Sequence, residues 1–135
     1  MNPIVLDTSV LISSALFPGS IPDQAVICAF ETFDVVVSDA MLDELRASLK
    51  KPRHIKYASV NARLSYADAF EAHAFKVDVT ASIVACRDPK DDKVLDLAVT
   101  AAVHIIISGD KDLLTMNPFR GIEIMSPRQF LDEFS

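Results

Sequence analysis

The chain has 135 residues, half of them hydrophobic and 24% charged, with a formal net charge of −6. That suits one compact domain over residues 1–135 and is too apolar for disorder. It also argues against a broad nucleic-acid-coating surface, which needs clustered Lys and Arg, although an acidic pocket filled by divalent cations would still attract phosphate. No apolar stretch reaches the roughly 18 residues of a membrane span. The N-terminus lacks the basic segment and apolar core of a signal peptide, so a cytoplasmic chain with no membrane association is expected. The 2 cysteines, Cys28 in "AVICAF" and Cys86 in "SIVAC", have apolar neighbours and read as reduced core residues; the 3 histidines show no zinc spacing.

In chain order, "IVLD" from Ile4 to Asp7 is an apolar strand that ends on a carboxylate. A short helix follows through Ala15, then a break at "FPGSIP". "DQAVICAFETF" predicts a helix with Ala25, Val26, Ala29, Phe30 and Phe33 on one side. "DVVVS" is a buried β-branched strand, and Ser38 caps the following helix, "DAMLDELRASLKK", which stops before Pro52. Pro52 to Phe75 is more polar and predicts one or two helices standing apart from the sheet. "KVDVT" is a strand or an extended approach, "DPKDDKVLDLAVTAAV" a capped apolar helix, and "HIIIS" another buried strand. "GDKDLL" opens a turn and a helical piece, "IEIMS" is a last strand, and "PRQFLDEF" a last helix begun by Pro127. Alternating strands and helices, with strands as apolar as "IVL", "VVV" and "III", predict an α/β fold: a three-layer α/β/α sandwich around a mostly parallel sheet of about four to five strands.

Ligands of such sheets bind beyond the carboxyl ends of the strands, so the residues there are the candidates. Asp7 closes the first strand, Glu44 lies in the helix after the second, Asp91 opens the helix before "HIIIS", and Asp110 and Asp112 follow that strand. Helical spacing separates neighbours. Met41, Leu42, Leu45 and Leu49 define a buried stripe that Glu44 borders and Asp43 avoids. Asp91 shares the side of Val94 and Leu95, whereas Asp92 and Asp96 point away. Singly, these acids have ordinary readings: Asp91 as a cap, Asp92 as an answer to the helix dipole, Glu44 as a surface acid, Asp110 as a turn residue. Together, several carboxylates on one sheet edge would repel and raise one another's pKa unless a cation neutralised them. Carboxylate oxygens without His or Cys suit Mg²⁺ or Mn²⁺.

"IVLDTSVLIS", "SDAMLDEL", "DPKDDKVLDLA" and "IIISGDKDLL", closing with "IMSPRQFL", together resemble a PIN domain, and more narrowly the VapC-like toxin ribonucleases of toxin–antitoxin systems. The resemblance covers nearly the whole chain. It implies a metal-dependent endoribonuclease acting on RNA through one or two Mg²⁺ or Mn²⁺ ions, a cognate antitoxin partner and a homodimer. It carries the acidic roles onto Asp7, Glu44, Asp91 and Asp110, with Asp112 as an accessory acid and Thr8 and Ser108 as ordering hydroxyls. "DPKDD" leaves Asp92, and more weakly Asp88, as alternatives to Asp91. Asp110 stands where VapC-like sequences often carry Asn, so "GDKDLL" is nearer another PIN subgroup. Arg46, Lys50, Lys51, Arg53 and Lys56 are the best cations to position RNA, with Tyr57 as a base-stacking or a packing residue; a solvated helix end is the plainer reading of the run.

Two other functions compete. A haloacid-dehalogenase-like phosphatase needs a second Asp two residues after the first, where this chain has Ser9. A non-catalytic RNA- or protein-binding module of the same fold would show a broken acid set, and this set is intact.

Overall fold

A computed structural model describes residues 2–83 and 91–135, so Cys86 and Asp88 lie outside the described residues. Among these residues five parallel strands form one sheet in the order β3-β2-β1-β4-β5. They are β1 (Pro3–Leu6), β2 (Asp34–Val37), β3 (Phe75–Lys76), β4 (Ile105–Ile107) and β5 (Glu123–Met125). Ile4, Val5, Ile106 and Ile107 are wholly buried, so side chains on both faces of the central strands are covered, as a three-layer α/β/α arrangement requires. β1 lies at the centre, with Val5 in register with Val36 of β2 and Ile106 of β4.

The described helices are α1 (Thr8–Leu16), α2 (Ile21–Thr32), α3 (Asp39–Leu49), α4 (Val60–His73), α5 (Asp92–Thr100), α6 (Lys111–Leu114) and α7 (Pro127–Phe134). Ser38 caps α3 by accepting from the Met41 N–H at 3.2 Å, and Ser126 and Gln129 form a reciprocal capping box on α7 with Pro127 in its first turn. No single described helix is long and apolar enough to cross a membrane; α1 and α2 together would be, but they meet at 113°.

Several boundaries depart from the sequence expectations. β1 stops at Leu6, and Asp7 becomes the residue preceding α1. α2 begins at Ile21 because Ser20 caps it and Pro22 fits its first turn, so part of the expected break is helix. In the polar middle, a single 3₁₀ turn at Pro52–His54 precedes α4, which packs on α3 and α1. The third strand is Phe75–Lys76, just ahead of most of "KVDVT". Cys28 is only half-buried, at the edge of the core where α2 meets Phe134.

α5 ends earlier than its apolar run suggests. The Val103 N–H donates to the Ala98 carbonyl at 3.1 Å and the Ala102 N–H to the Val99 carbonyl at 3.2 Å. This is the Schellman pattern, and it puts Ala102 at φ 54, where glycine is the usual residue. Left-handed alanine costs about 1 kcal/mol. Ala102→Gly should therefore raise stability by roughly 0.5–1 kcal/mol, net of glycine's unfolded-chain entropy. Urea denaturation with an unchanged m-value would check it.

Candidate active site

Asp7 sits between the central strand and α1, and its side chain is almost fully buried. Its N–H donates to the Ile107 carbonyl at 2.9 Å, which pins it to β4. The Ser108 hydroxyl donates to Asp7 Oδ2 at 2.7 Å and the Ser9 hydroxyl to the same oxygen at 2.8 Å. Oδ1 takes no hydrogen bond among the described residues. Both hydroxyls are also acceptors: Ser108 Oγ from the Asp110 N–H at 3.0 Å, and Ser9 Oγ from the Gly109 N–H at 3.2 Å. The loop after β4 is thereby fastened to the carboxylate after β1. Burial pushes the Asp7 carboxyl above the usual carboxylate range; the Ser108 and Ser9 hydroxyls work against that rise, and the charges of Asp110 and Glu44 add to it.

Asp91, Asp110 and Asp112 bring one carboxylate oxygen each within 4.8 Å of one another. Asp91 is buried and precedes α5 without capping it through its side chain, so the simple capping reading does not describe it. Asp92, in the first turn, is half-buried and outside this group. Asp110 caps α6 by accepting from the Asp112 N–H at 2.8 Å, which fixes both acids in one turn.

Glu44 joins from α3. The Thr8 hydroxyl donates to Glu44 Oε1 at 2.6 Å, and Lys93 Nζ lies 3.2 Å from Oε2. Asp43 faces solvent, as the helical stripe requires. So Asp7, Thr8, Glu44, Ser108, Asp91, Asp110 and Asp112 gather at the carboxyl edge of β1 and β4. Two partners in this network were not assigned roles from the sequence. Ser9 meets Gly109 from a hundred residues away, and no local spacing announces that. Lys93 reads as an ordinary exposed lysine; its only signal is its place two residues after Asp91.

The basic run is elsewhere. Arg46 is engaged by Asp68 at 3.0 Å and Glu71 at 2.6 Å, in a group that also joins Lys76 to Asp39 and Glu71. Lys50, Lys51, Arg53 and Lys56 are exposed. A cavity of about 490 Å³ between α1, α2 and α4, lined by Ser14, Asp23, Phe30, Tyr66 and Phe70 among others, contains none of the clustered acids.

A doubly covered parallel sheet with acids gathered at the carboxyl ends of adjacent strands defines an α/β domain with a group of carboxylates able to hold a cation. A PIN-domain family model matches residues 3–112, and the chain belongs to the PIN-domain family. It is 30% identical over 141 residues, 97% of this chain and 90% of the other, to the uncharacterized protein MJ1680 of Methanocaldococcus jannaschii. Its fold resembles two solved structures, each 10% identical. One is VapBC2 from Rickettsia felis bound to a DNA fragment from its promoter, with a TM-score of 0.65 over 92% of this chain and 98% of that one. The other is PAE2754 from Pyrobaculum aerophilum, with a TM-score of 0.68 over 98% and 89%.

Proposed function

We propose that this chain is a Mg²⁺- or Mn²⁺-dependent endoribonuclease and the toxin of a toxin–antitoxin pair. The observation that carries this reading is the approach of Asp91, Asp110 and Asp112 within 4.8 Å beside a buried Asp7. A cluster of that charge favours a cation, and its donors are hard oxygens without imidazole or thiolate, which suits Mg²⁺ or Mn²⁺. Asp7, Asp91 and Asp110 would hold the ion, with Asp112 or Asp92 assisting and Glu44 acting directly or through water. When bound, the ion would supply a more acidic water and stabilise charge developing on the phosphate. Ser108 and Ser9 hold Asp7 through Oδ2, which would leave Oδ1 for the ion, and Thr8 holds Glu44 by its hydrogen bond. Lys93 neutralises Glu44, which lowers the repulsion the RNA phosphate meets on arrival. No side chain needs to serve as a nucleophile. A small antitoxin would restrain such an enzyme in the cytoplasm, and a homodimer would be its working form.

The test is cleavage of single-stranded RNA by the purified chain with Mg²⁺ or Mn²⁺, against the same reaction in EDTA and against p-nitrophenyl phosphate. Metal-dependent internal cuts are expected. Hydrolysis of the phosphomonoester without RNA cleavage would replace this reading with a phosphatase, and RNA binding without cleavage would replace it with a non-catalytic module.

Lys93→Met gives a finer prediction. Groups that hold a ligand carboxylate typically contribute 10- to 100-fold to activity, so kcat/KM on RNA should fall by about that much. The Lys93–Glu44 pair is partly exposed, so the fold should lose no more than about 1 kcal/mol. Parallel kinetics and thermal melts would check the separation.

A further inference from the structure

From the geometry we infer a second RNA-contacting surface, a base-stacking and phosphate-binding platform built from Phe17, Tyr57 and the cations Lys50, Lys51, Arg53 and Lys56; it rests on the nuclease reading above. Residues 47–67 contain no Asp or Glu, although the chain has 19 acids and a net charge of −6. Four of its 13 Lys and Arg lie between Lys50 and Lys56. All four are exposed, and none forms an ion pair among the described residues, whereas Arg46, Lys76 and Lys93 are all paired with acids. Unpaired cations gathered on an acidic protein make a local field that favours a polyanion.

The same place exposes aromatic surface. Phe17 is 44% and Tyr57 47% exposed, and their rings meet edge to face at 4.8 Å. Lys56 Nζ lies 5.1 Å from the Tyr57 ring centre, so charge and π-surface are presented together. Such a pairing suits unstacked bases with their phosphates, and therefore single-stranded RNA more than a duplex.

The platform is joined to the acids by two helices. α1 begins at Thr8 and α3 carries Glu44, and these residues are hydrogen-bonded at 2.6 Å. α1 leads to Phe17 about 14 Å away, and α3 leads from Glu44 to Lys50 over about 9 Å, by the helical rise. Beyond those ends Phe17 and Tyr57 touch again. The helices thus run side by side from the catalytic acids to the platform, which lies a few nucleotides along a strand whose phosphate occupies the site.

Binding of a fluorescein-labelled twelve-nucleotide single-stranded RNA, measured by anisotropy in EDTA, tests the platform without cleavage. Replacing Lys50, Lys51, Arg53 and Lys56 with Gln should weaken binding at least tenfold at about 100 mM salt and reduce the slope of log K against log salt by about 2 to 3. Tyr57→Ala should weaken binding about tenfold with the slope unchanged, and Tyr57→Phe should restore it. Wild-type affinity in both the Gln variant and Tyr57→Ala would overturn the platform and leave this face to a protein partner. A Gln variant that binds weakly with an unaltered salt slope would overturn it too. Because the assay excludes metal, it can fail while metal-dependent cleavage by the wild-type chain stands, and the reverse.

Discussion

Asp7→Asn is expected to abolish metal-dependent RNA cleavage and, in the same molecule, to raise the melting temperature of the metal-free protein. Both effects come from one feature, a buried carboxylate placed where a charge is useful only when a cation answers it. Changes one shell out from a metal already cost 10- to 100-fold, so if Asp7 holds the ion as proposed, loss of its charge should cost at least about a hundredfold in kcat/KM. Stability moves the other way. Folding takes the Asp7 carboxylate out of water and brings it near Asp110 and Glu44, so its folded pKa lies above its unfolded value of about 3.9. Between those two values the folded protein keeps a proton that the unfolded chain has released. The destabilisation is therefore complete above the folded pKa and fades as pH falls toward the unfolded one. Asparagine removes the charge and can still accept from Ser108 and Ser9. The gain should be on the order of 1 kcal/mol, a few degrees for a domain of this size, and should shrink as pH is lowered. Mn²⁺ should raise the melting temperature of the wild type and leave the variant nearly unmoved. A variant that melts well below the wild type would return Asp7 to a structural role.

How far this was legible in the sequence depends on whether the determining contacts are local. β1, β2 and β4 were visible because "IVL", "VVV" and "III" are short apolar runs buried on both faces. The choice of Glu44 over Asp43 followed from the 3.6-residue period alone, and Asp43 is exposed. Asp91 was favoured over Asp92 by the same argument, and Asp91 is the one grouped with Asp110 and Asp112. β3 was blurred because two residues carry no periodic signal, and its pairing with β2 decides it. The Ser9 hydroxyl reaches Asp7 from two residues away, but its bond with Gly109 joins a loop a hundred residues on, which no local pattern shows. The start of α2 was readable in retrospect, since Ser20 followed by Pro22 is a capping signal.

The polar middle concealed the most. There the sequence offers an arginine in a polar segment expected to stand apart from the sheet, yet Arg63 is only 2% exposed. Among the described residues its guanidinium meets no acid. Nε donates to the Ala58 and Ser59 carbonyls at 3.1 and 3.3 Å, and Nη1 to the carbonyls of Lys51, at 3.0 Å, and Leu49. Leu49 is the last residue of α3, and Ser59 caps α4. One cation thus satisfies carbonyls at the end of one helix, through the connecting turn and at the start of the next. The Ser59 and Lys51 carbonyls also accept from the Arg63 and His54 N–H groups, but the Leu49 carbonyl closes α3 where helical partners run out, and a charged donor there is worth more than a neutral one. Arg63→Met keeps the apolar stem and takes away the donor to the Leu49 and Ala58 carbonyls, with a cost of about 3 kcal/mol. The melting temperature should fall by roughly 10 °C. Arg63→Lys should recover only part of it, because one ammonium cannot reach carbonyls spread around a planar fork. Thermal denaturation of both variants checks this, and a loss under about 0.5 kcal/mol in Arg63→Met would mean that solvent already serves those carbonyls. The consequence reaches the site. The turn that Arg63 holds carries Lys51, Arg53, Lys56 and Tyr57, and α3 carries Glu44, so loosening it should weaken RNA binding more than metal binding.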